Sequence, residues 1–192
     1  AIAQCLVGSE MCIRDRFQEV FGMMIRQEEK RDYHDIYAVV KAAFESADHS
    51  DGNEQDLVNA LRQSDAYIPE LSLVAEIDGR ITGHIMFTKV QIGEIVQLAL
   101  APLSVLPEYQ RQGIGSALIR EGHKRAGELG YGYSIVLGSE AYYPKAGYVP
   151  AKNYGILSPF DVPDENFMAC KLDKNAPDVS GVVQYPKEFG IE

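Results

Sequence analysis

The sequence has few cysteines, few basic residues and no long apolar segment. Its three cysteines cannot all pair, so a disulfide framework is not expected and a reducing compartment, the cytoplasm, is favoured. Eighteen basic residues stand against 28 acidic ones, and the net charge of −10 argues against binding nucleic acid. The longest apolar run, Ile95 to Leu106, is interrupted by Gln97 and Ser104 and is far shorter than the roughly 20 residues that span a membrane.

The composition is that of one soluble domain, with 46% hydrophobic and 24% charged residues in a chain of 192. The start of the chain differs from the rest. Residues 5–16, CLVGSEMCIRDR, resemble a translated sequencing-library adapter and show neither helical nor strand periodicity. We therefore expect residues 1–23 to be a non-native or disordered extension, residues 24–172 to form the folded domain, and residues 173–192 to be a tail packed on that domain.

Local patterns predict a mixed α/β order. A short strand at 24–26 precedes two helices, one beginning after an N-cap at Asp32 and ending near Glu45, the other beginning after Asn53. Alternating apolar residues on both sides of Asp78-Gly79 predict a β-hairpin with a type I′ turn. The remaining elements are a strand over 95–105 with a bulge at Pro102, a helix over 113–129, a strand over 133–137, a short helix or turn over 141–147 and a strand over 167–172.

The segment LSVLPEYQRQGIGSAL, residues 103–118, joins a predicted strand to a predicted helix. Gly113 and Gly115 would leave backbone N–H groups open at the helix start, where an anion binds, and Gln110 and Arg111 add donors beside them. A glycine pair alone is also typical of a helix that packs tightly. A P-loop is excluded because no Lys-Ser/Thr follows the glycines, and a Rossmann fingerprint is excluded because Leu118 stands where a third glycine is required.

Two motifs resemble those of the GNAT superfamily of N-acetyltransferases. Val105-Leu-Pro107 followed by QRQGIG, residues 110–115, resembles the acetyl-CoA motif Q/R-x-x-G-x-G/A, and AYYPKAGY, residues 141–148, is similar to F-Y-x-K-x-G-F. The resemblance covers residues 24–172 as an acetyltransferase domain. It implies an α/β fold with a mixed, largely antiparallel sheet, helices on both faces, and a splay between the strand ending near Val105 and the strand Tyr133–Leu137.

The same resemblance implies roles for individual residues. The backbone of Leu103 to Val105 would pair with the pantetheine arm of acetyl-CoA, and the Leu103 N–H would polarise the thioester carbonyl. Tyr143 would protonate the departing thiolate, with Tyr142 as the near alternative. The complete set of implied acetyl-CoA-binding residues is Leu103, Ser104, Val105, Gln110, Arg111, Gln112, Gly113, Ile114, Gly115 and Ser116.

No general base can be chosen from the sequence. Ala99 stands where histone-type members carry a glutamate, and Glu94, Glu140 and His84 are candidates that are more typical of structural or solvated side chains. The four histidines lack the spacing of metal ligands, so no metal is expected. His84 is predicted to be a satisfied strand side chain and Cys170 a small buried hydrophobe.

Two functions are compatible with these features. One is direct transfer of an acetyl group from acetyl-CoA to a primary amine of a small molecule, peptide or protein; the other is non-catalytic binding or sensing of acyl-CoA. Tyr143 favours the enzyme, because a pure binding protein needs no acid at the sulfur. The acceptor pocket would depend on the loop over 46–52, and the protein is expected to be a bacterial monomer or homodimer without nucleic-acid or membrane partners.

Overall fold

The computed structural model describes residues 22–45 and 52–191. Most of the expected N-terminal extension and of the 46–52 loop therefore lies outside the described residues. These residues form three α-helices, α1 (Tyr33–Phe44), α2 (Glu54–Leu61) and α3 (Ile114–Glu128). The strands are β1 (Met23–Gln27), β2 (Tyr67–Ile77), β3 (Arg80–Ile92), β4 (Ile95–Val105), β5 (Tyr133–Leu137), β6 (Val149–Pro150), β7 (Ile156–Leu157), β8 (Phe167–Lys171) and β9 (Gly181–Gln184).

The sheet has the order β1-β2-β3-β4-β5-β8-β6. Neighbouring strands along this order are antiparallel except β4 and β5, which are parallel. This confirms the predicted mixed, largely antiparallel sheet. The predicted hairpin between β2 and β3 is also present, with φ of 50° at Asp78 and 78° at Gly79, the positive values that a type I′ turn requires.

Helices cover both faces of the sheet. Helices α1 and α2 pack on one face, where Ile36 and Leu61 contact a cluster that includes Met86 of β3. Helix α3 packs on the other face, and its Leu118 lies in the cluster that contains Phe87. Since successive strand residues point to opposite faces, residues 81–88 are buried almost without interruption.

The prediction that Asp32 caps α1 with its side chain is wrong, although the helix begins at the next residue as predicted. The Asp32 carboxylate instead accepts two hydrogen bonds from the Arg26 guanidinium, at 2.6 and 2.9 Å, and one from the Glu29 N–H at 2.7 Å. A charged partner on β1 offers a stronger, charge-assisted interaction than the helix N–H groups would. The local preference for a cap is therefore overridden by tertiary structure.

The C-terminal segment adds β9, which sequence patterns did not predict. Val183 lies beside Ile92 of β3, and β9 also pairs in parallel with β7. Earlier in the same segment, Ala176 approaches Gly132 so closely that a Cβ at Gly132 would lie 2.6 Å from the Ala176 Cβ. In the part of the chain that the structure describes, no helix combines the length and apolar character needed to cross a membrane.

Candidate active site

Strands β4 and β5, which are parallel neighbours in the sheet, separate after two pairs of residues. The pairing of β4 with β5 comprises Leu98 with Ser134 and Ala99 with Ile135, and no further pair between these strands is formed in the described residues. Leu100 still pairs with Phe87 of β3, and Ala101 and Pro102 then bulge opposite a single β3 residue, as predicted for Pro102. From this point β4 continues along β3 while its other edge faces an open gap.

The register of β4 determines which backbone groups face that gap. The Leu106 N–H donates a hydrogen bond to the Thr82 carbonyl at 2.9 Å, so residues at even spacing from Leu106 face β3. Because backbone groups alternate sides along an antiparallel strand, the N–H and C=O groups of Leu103 and Val105 point into the gap, whereas those of Ser104 point toward β3. Of the three residues implied to pair with pantetheine, two thus present their backbone to the gap.

The turn between β4 and α3 is braced by its own glutamine side chains. Gln110 Nε2 donates to the Val105 carbonyl at 3.1 Å, and Gln112 Nε2 donates to the Glu108 carbonyl at 3.0 Å. Arg111 and Gly113 both have positive φ, 62° and 87°, which turns successive backbone N–H groups toward one side of the loop. Helix α3 begins immediately afterwards, so the positive end of its dipole lies at the same place.

Tyr142 lies against the first turn of α3. A Cβ on Gly115 would collide with the Tyr142 hydroxyl and would lie 3.6 Å from Cδ2 of Leu103. Burial raises the pKa of Tyr142, and a hydrogen bond with Ser116 partly offsets that effect. Gly115 therefore leaves the space that the Tyr142 hydroxyl occupies.

Tyr143 packs at the end of β5. A Cβ on Gly138, the residue that follows β5, would collide with the Tyr143 ring. The Tyr142 and Tyr143 rings meet edge to face with centroids 5.2 Å apart, and Tyr143 meets Tyr148 in the same way at 5.5 Å. Burial raises the pKa of Tyr143 well above its ordinary value, so the phenol keeps its proton at neutral pH.

A cavity of about 290 Å³ opens between α3 and the turn that carries the two tyrosines. Its wall includes Ser116, Arg120 and His123 of α3 together with Tyr142 and Lys145. The α3 residues lie on one helix face, at spacings of three and four, and that spacing is visible in the sequence. The two cationic side chains make the cavity suitable for an anionic group.

The candidate bases differ in position. Glu94 is exposed in the turn between β3 and β4, at the end of β4 opposite to Val105. Glu140 is exposed and accepts a hydrogen bond from Asn166 at 2.8 Å. His84 is fully buried on β3, directly across from Ser104. Within residues 22–45 and 52–191, no three histidine, cysteine or carboxylate side chains converge as metal ligands would.

Comparison with known proteins identifies the family. A model described as "Acetyltransferase (GNAT) domain" matches residues 69–150. The chain is also 38% identical over 147 residues to an Escherichia coli K12 protein called uncharacterized N-acetyltransferase YjhQ, a match that covers 74% of this chain and 78% of that protein. The chain belongs to the GNAT family of acetyltransferases. A second E. coli protein, uncharacterized N-acetyltransferase YhbS, is 32% identical over 171 residues, or 87% of this chain and 98% of that protein.

Solved GNAT structures agree with this assignment. An acetyltransferase from Brucella melitensis, crystallised with acetyl-CoA, has a TM-score of 0.72 and 34% identity and covers 87% of this chain and 97% of its own. E. coli YhbS, crystallised with CoA, has a TM-score of 0.79 and 30% identity and covers 88% of this chain and 92% of its own. The predicted fold and the predicted enzyme class, an N-acetyltransferase, are therefore confirmed.

Proposed function

We propose that this GNAT protein transfers an acetyl group from acetyl-CoA directly to a primary amine of a small molecule, peptide or protein. The observation that carries the proposal is the gap beside β4, into which the backbone groups of Leu103 and Val105 point. The gap adjoins the N-terminus of α3. The β4 backbone, which suits the amides of pantetheine, therefore lies next to the helix N–H groups, which suit a pyrophosphate. The Brucella and YhbS structures, solved with acetyl-CoA and CoA, support the same ligand here.

The residues present fit acetyl-CoA. Leu103 and Val105 would pair with the pantetheine amides as a neighbouring strand does. The N–H groups from Gln112 to Ser116 would hold the pyrophosphate, and Arg111 would add a positive charge. The cavity that contains Arg120 and Lys145 lies beyond Ser116, and its charge suits the remaining phosphate of the nucleotide.

Two groups of the chain would act on the reacting atoms. Acetyl-CoA supplies an acetyl group already activated as a thioester. The Leu103 N–H, directed into the gap, would stabilise negative charge that develops on the thioester oxygen. Tyr143 would give its phenolic proton to the sulfur, and its raised pKa keeps that proton available over the whole neutral range.

Tyr142 has a different environment from Tyr143. Its hydroxyl is held at Gly115 and Ser116, against α3 and beside Leu103. In that position it would shape the cofactor side of the gap. Tyr143 packs beside Gly138 at the end of β5, and we assign it the role of the acid because it aligns with the tyrosine of the GNAT motif.

The experiment that tests this function measures thiol release from acetyl-CoA with a panel of polyamines, amino acids, amino sugars and short peptides. We expect release that depends on a primary amine, with the acetylated product identified by mass spectrometry. The non-catalytic alternative, an acyl-CoA-binding domain, predicts acetyl-CoA binding without amine-dependent release. Binding without turnover across the whole panel would favour that alternative, and absence of binding would refute both.

A further inference from the structure

Two histidines that pack against the core differ in what they can reach. His84 is fully buried, with Nε2 3.2 Å from Oε2 of Glu28, a carboxylate that Arg62 also binds at 2.7 Å. Its Nδ1 is buried without a hydrogen-bond partner, so the predicted satisfied role of His84 is wrong for one of its two ring nitrogens. His123 of α3 is only partly buried and lines the cavity that also contains Lys145. Of the two, His123 is therefore the histidine that a ligand can contact.

A chain of hydrogen bonds from the interior holds one ring nitrogen of His123. The Tyr148 hydroxyl lies 2.9 Å from Nε2 of His123 and 2.7 Å from Oγ of Ser134 on β5. Tyr148 and Ser134 are both buried, with exposed fractions of 1% and 0%. The Phe87 ring packs on the imidazole with a centroid distance of 6.0 Å. The orientation of the His123 ring is therefore determined by buried groups behind it.

The direction of this chain follows from Ser134. Within the described residues the Ser134 hydroxyl contacts only the Tyr148 hydroxyl, and buried donors almost always have an acceptor. Ser134 therefore donates to Tyr148, and Tyr148 donates its own proton to Nε2 of His123. Burial lowers the pKa of His123 to about 4, so the ring is neutral at pH 7. A neutral imidazole whose Nε2 accepts a hydrogen bond carries its proton on Nδ1.

The Nδ1–H group of His123 is open to the cavity. Nδ1 has no hydrogen-bond partner among the described residues and is not enclosed by them, and the cavity is the open space that this side chain lines. Arg120, one turn earlier on α3, and Lys145, on the opposite wall, supply two positive charges, and Ser116 supplies a hydroxyl. Four donor side chains around one space suit a ligand group that is anionic and accepts several hydrogen bonds, as a phosphate does.

We propose that His123 donates a hydrogen bond from Nδ1 to the ribose phosphate of acetyl-CoA, and that the protein thereby selects acetyl-CoA over its dephospho form. His123 is then a ligand-binding residue. Tyr148 and Ser134 are positioning residues, because the hydrogen bonds between them fix the tautomer of the imidazole. The inference rests on the proposed function, in which this cavity receives the phosphate that the N-terminus of α3 does not bind.

Calorimetry with acetyl-CoA and acetyl-dephospho-CoA tests the selectivity and needs no acceptor amine. His123→Gln keeps an amide within reach of the Tyr148 hydroxyl but has no group at the position of Nδ1. It should weaken acetyl-CoA binding roughly tenfold, as expected for one lost hydrogen bond to a charged group, and change the Kd of acetyl-dephospho-CoA less than about twofold. His123→Asn, whose amide lies nearer the position of Nδ1, should restore part of the selectivity. Equal weakening of both ligands in His123→Gln would overturn the proposal.

The tautomer can be measured directly. In the protein labelled with ¹⁵N-histidine, long-range ¹H–¹⁵N spectra at pH 7 should show His123 as the neutral Nδ1–H form, with its signals assigned through His123→Gln. Acetyl-CoA should shift the Nδ1 resonance, and acetyl-dephospho-CoA should not. Tyr148→Phe should give a mixture of the two tautomers and reduce the selectivity, whereas a merely structural role would weaken both ligands alike. A proton on Nε2 in the wild type would overturn the proposal, because Nδ1 could then donate nothing.

Lys124→Gln is the matched control. Lys124 is the next residue on α3, is exposed and lies 3.8 Å from Glu128, and it does not line the cavity. The variant should keep the wild-type ratio of the two affinities, and a loss of selectivity as large as that in His123→Gln would show that overall charge is the cause and would overturn the proposal. Unchanged selectivity in His123→Gln, with tight binding of acetyl-CoA, would overturn the role of His123 alone. Failure of the wild type to bind acetyl-CoA would instead overturn the proposed function.

Discussion

Replacing His123 with glutamine should make the protein less sensitive to acid. The His123 ring packs between Phe87 and Tyr148, with centroid distances of 6.0 and 5.3 Å, and its Nε2 lies 2.9 Å from the Tyr148 hydroxyl. Burial lowers the pKa of His123 from 6.5 to about 4. Between pH 6.5 and about pH 4, His123 is protonated in the unfolded chain but stays neutral in the folded protein. The free energy of unfolding therefore falls as the pH drops through this range.

The size of the effect follows from the two pKa values. With 6.5 in the unfolded chain and about 4 in the folded protein, the loss at pH 5 is about 2 kcal/mol. For a chain of this length that corresponds to roughly 4–8 °C in Tm. In His123→Gln the amide can still bond Tyr148 but does not titrate. The difference in free energy of unfolding between pH 7.5 and pH 5 should therefore shrink by about 2 kcal/mol.

Urea unfolding at pH 7.5 and at pH 5 gives the free energy of unfolding at each pH. The difference between the two values does not contain any pH-independent packing cost of the substitution. His34, exposed on α1, provides the control. His34→Gln should leave the pH dependence unchanged. Parallel stability–pH curves for wild type and His123→Gln would show that His123 does not resist protonation and would refute the reasoning.

Three further predictions concern the site and the buried ion pair. Gly115→Asp should abolish acetyl-CoA binding measured by calorimetry, because it adds bulk at Tyr142 and negative charge at the helix N-terminus; unchanged affinity would refute the cofactor assignment. Tyr143→Phe should lower kcat roughly 10²-fold with little change in acetyl-CoA affinity, while Tyr142→Phe leaves kcat nearly unchanged; the reverse order would identify Tyr142 as the acid. Arg62→Met should destabilise the protein by about 3–5 kcal/mol at pH 7, because Glu28 is left buried without its cation. The Glu28 pKa is lowered in the fold, so its contribution is present above the usual glutamate pKa and is lost in acid; the penalty in denaturant unfolding should shrink toward pH 4, and a pH-independent penalty would contradict this.

Features with a local cause could be predicted from the sequence. The β2–β3 hairpin follows from alternating apolar residues around Asp78-Gly79, and β4 has the predicted bounds because its apolar run ends in turn residues. The glycine pair predicts a helix from residue 113, and α3 begins one residue later, at Ile114, because Gly113 takes the positive φ of the residue that precedes the helix. In contrast, β9 is only four residues long, and four residues are too few to show a period.

Features that depend on distant partners could not be predicted. Asp32 has the side chain of a good helix cap, but Arg26 on β1 binds it instead. Gly115 and Tyr142 are far apart in the sequence, so nothing local indicates that one must be small to admit the other. The motif at 110–115 predicts an anion site with glutamine side chains as extra donors. In the structure both glutamine side chains donate to backbone carbonyls of the turn instead.

The same distinction explains why the sequence offers candidate residues for binding acetyl-CoA but none for binding the acceptor. The groups proposed to face acetyl-CoA are mainly backbone atoms of one continuous segment, 103–116, and backbone geometry is encoded by glycine, proline and strand periodicity nearby. The buried polar network around Glu28 instead joins side chains from the residues just after β1 and α2 with His84 of β3, and none of them stands out in its own sequence context. What distinguishes His84 is an unpartnered nitrogen, and this property appears only once the neighbouring strands and helices are in place. Side chains that act through such distant contacts must therefore be sought in the packed structure rather than in a motif.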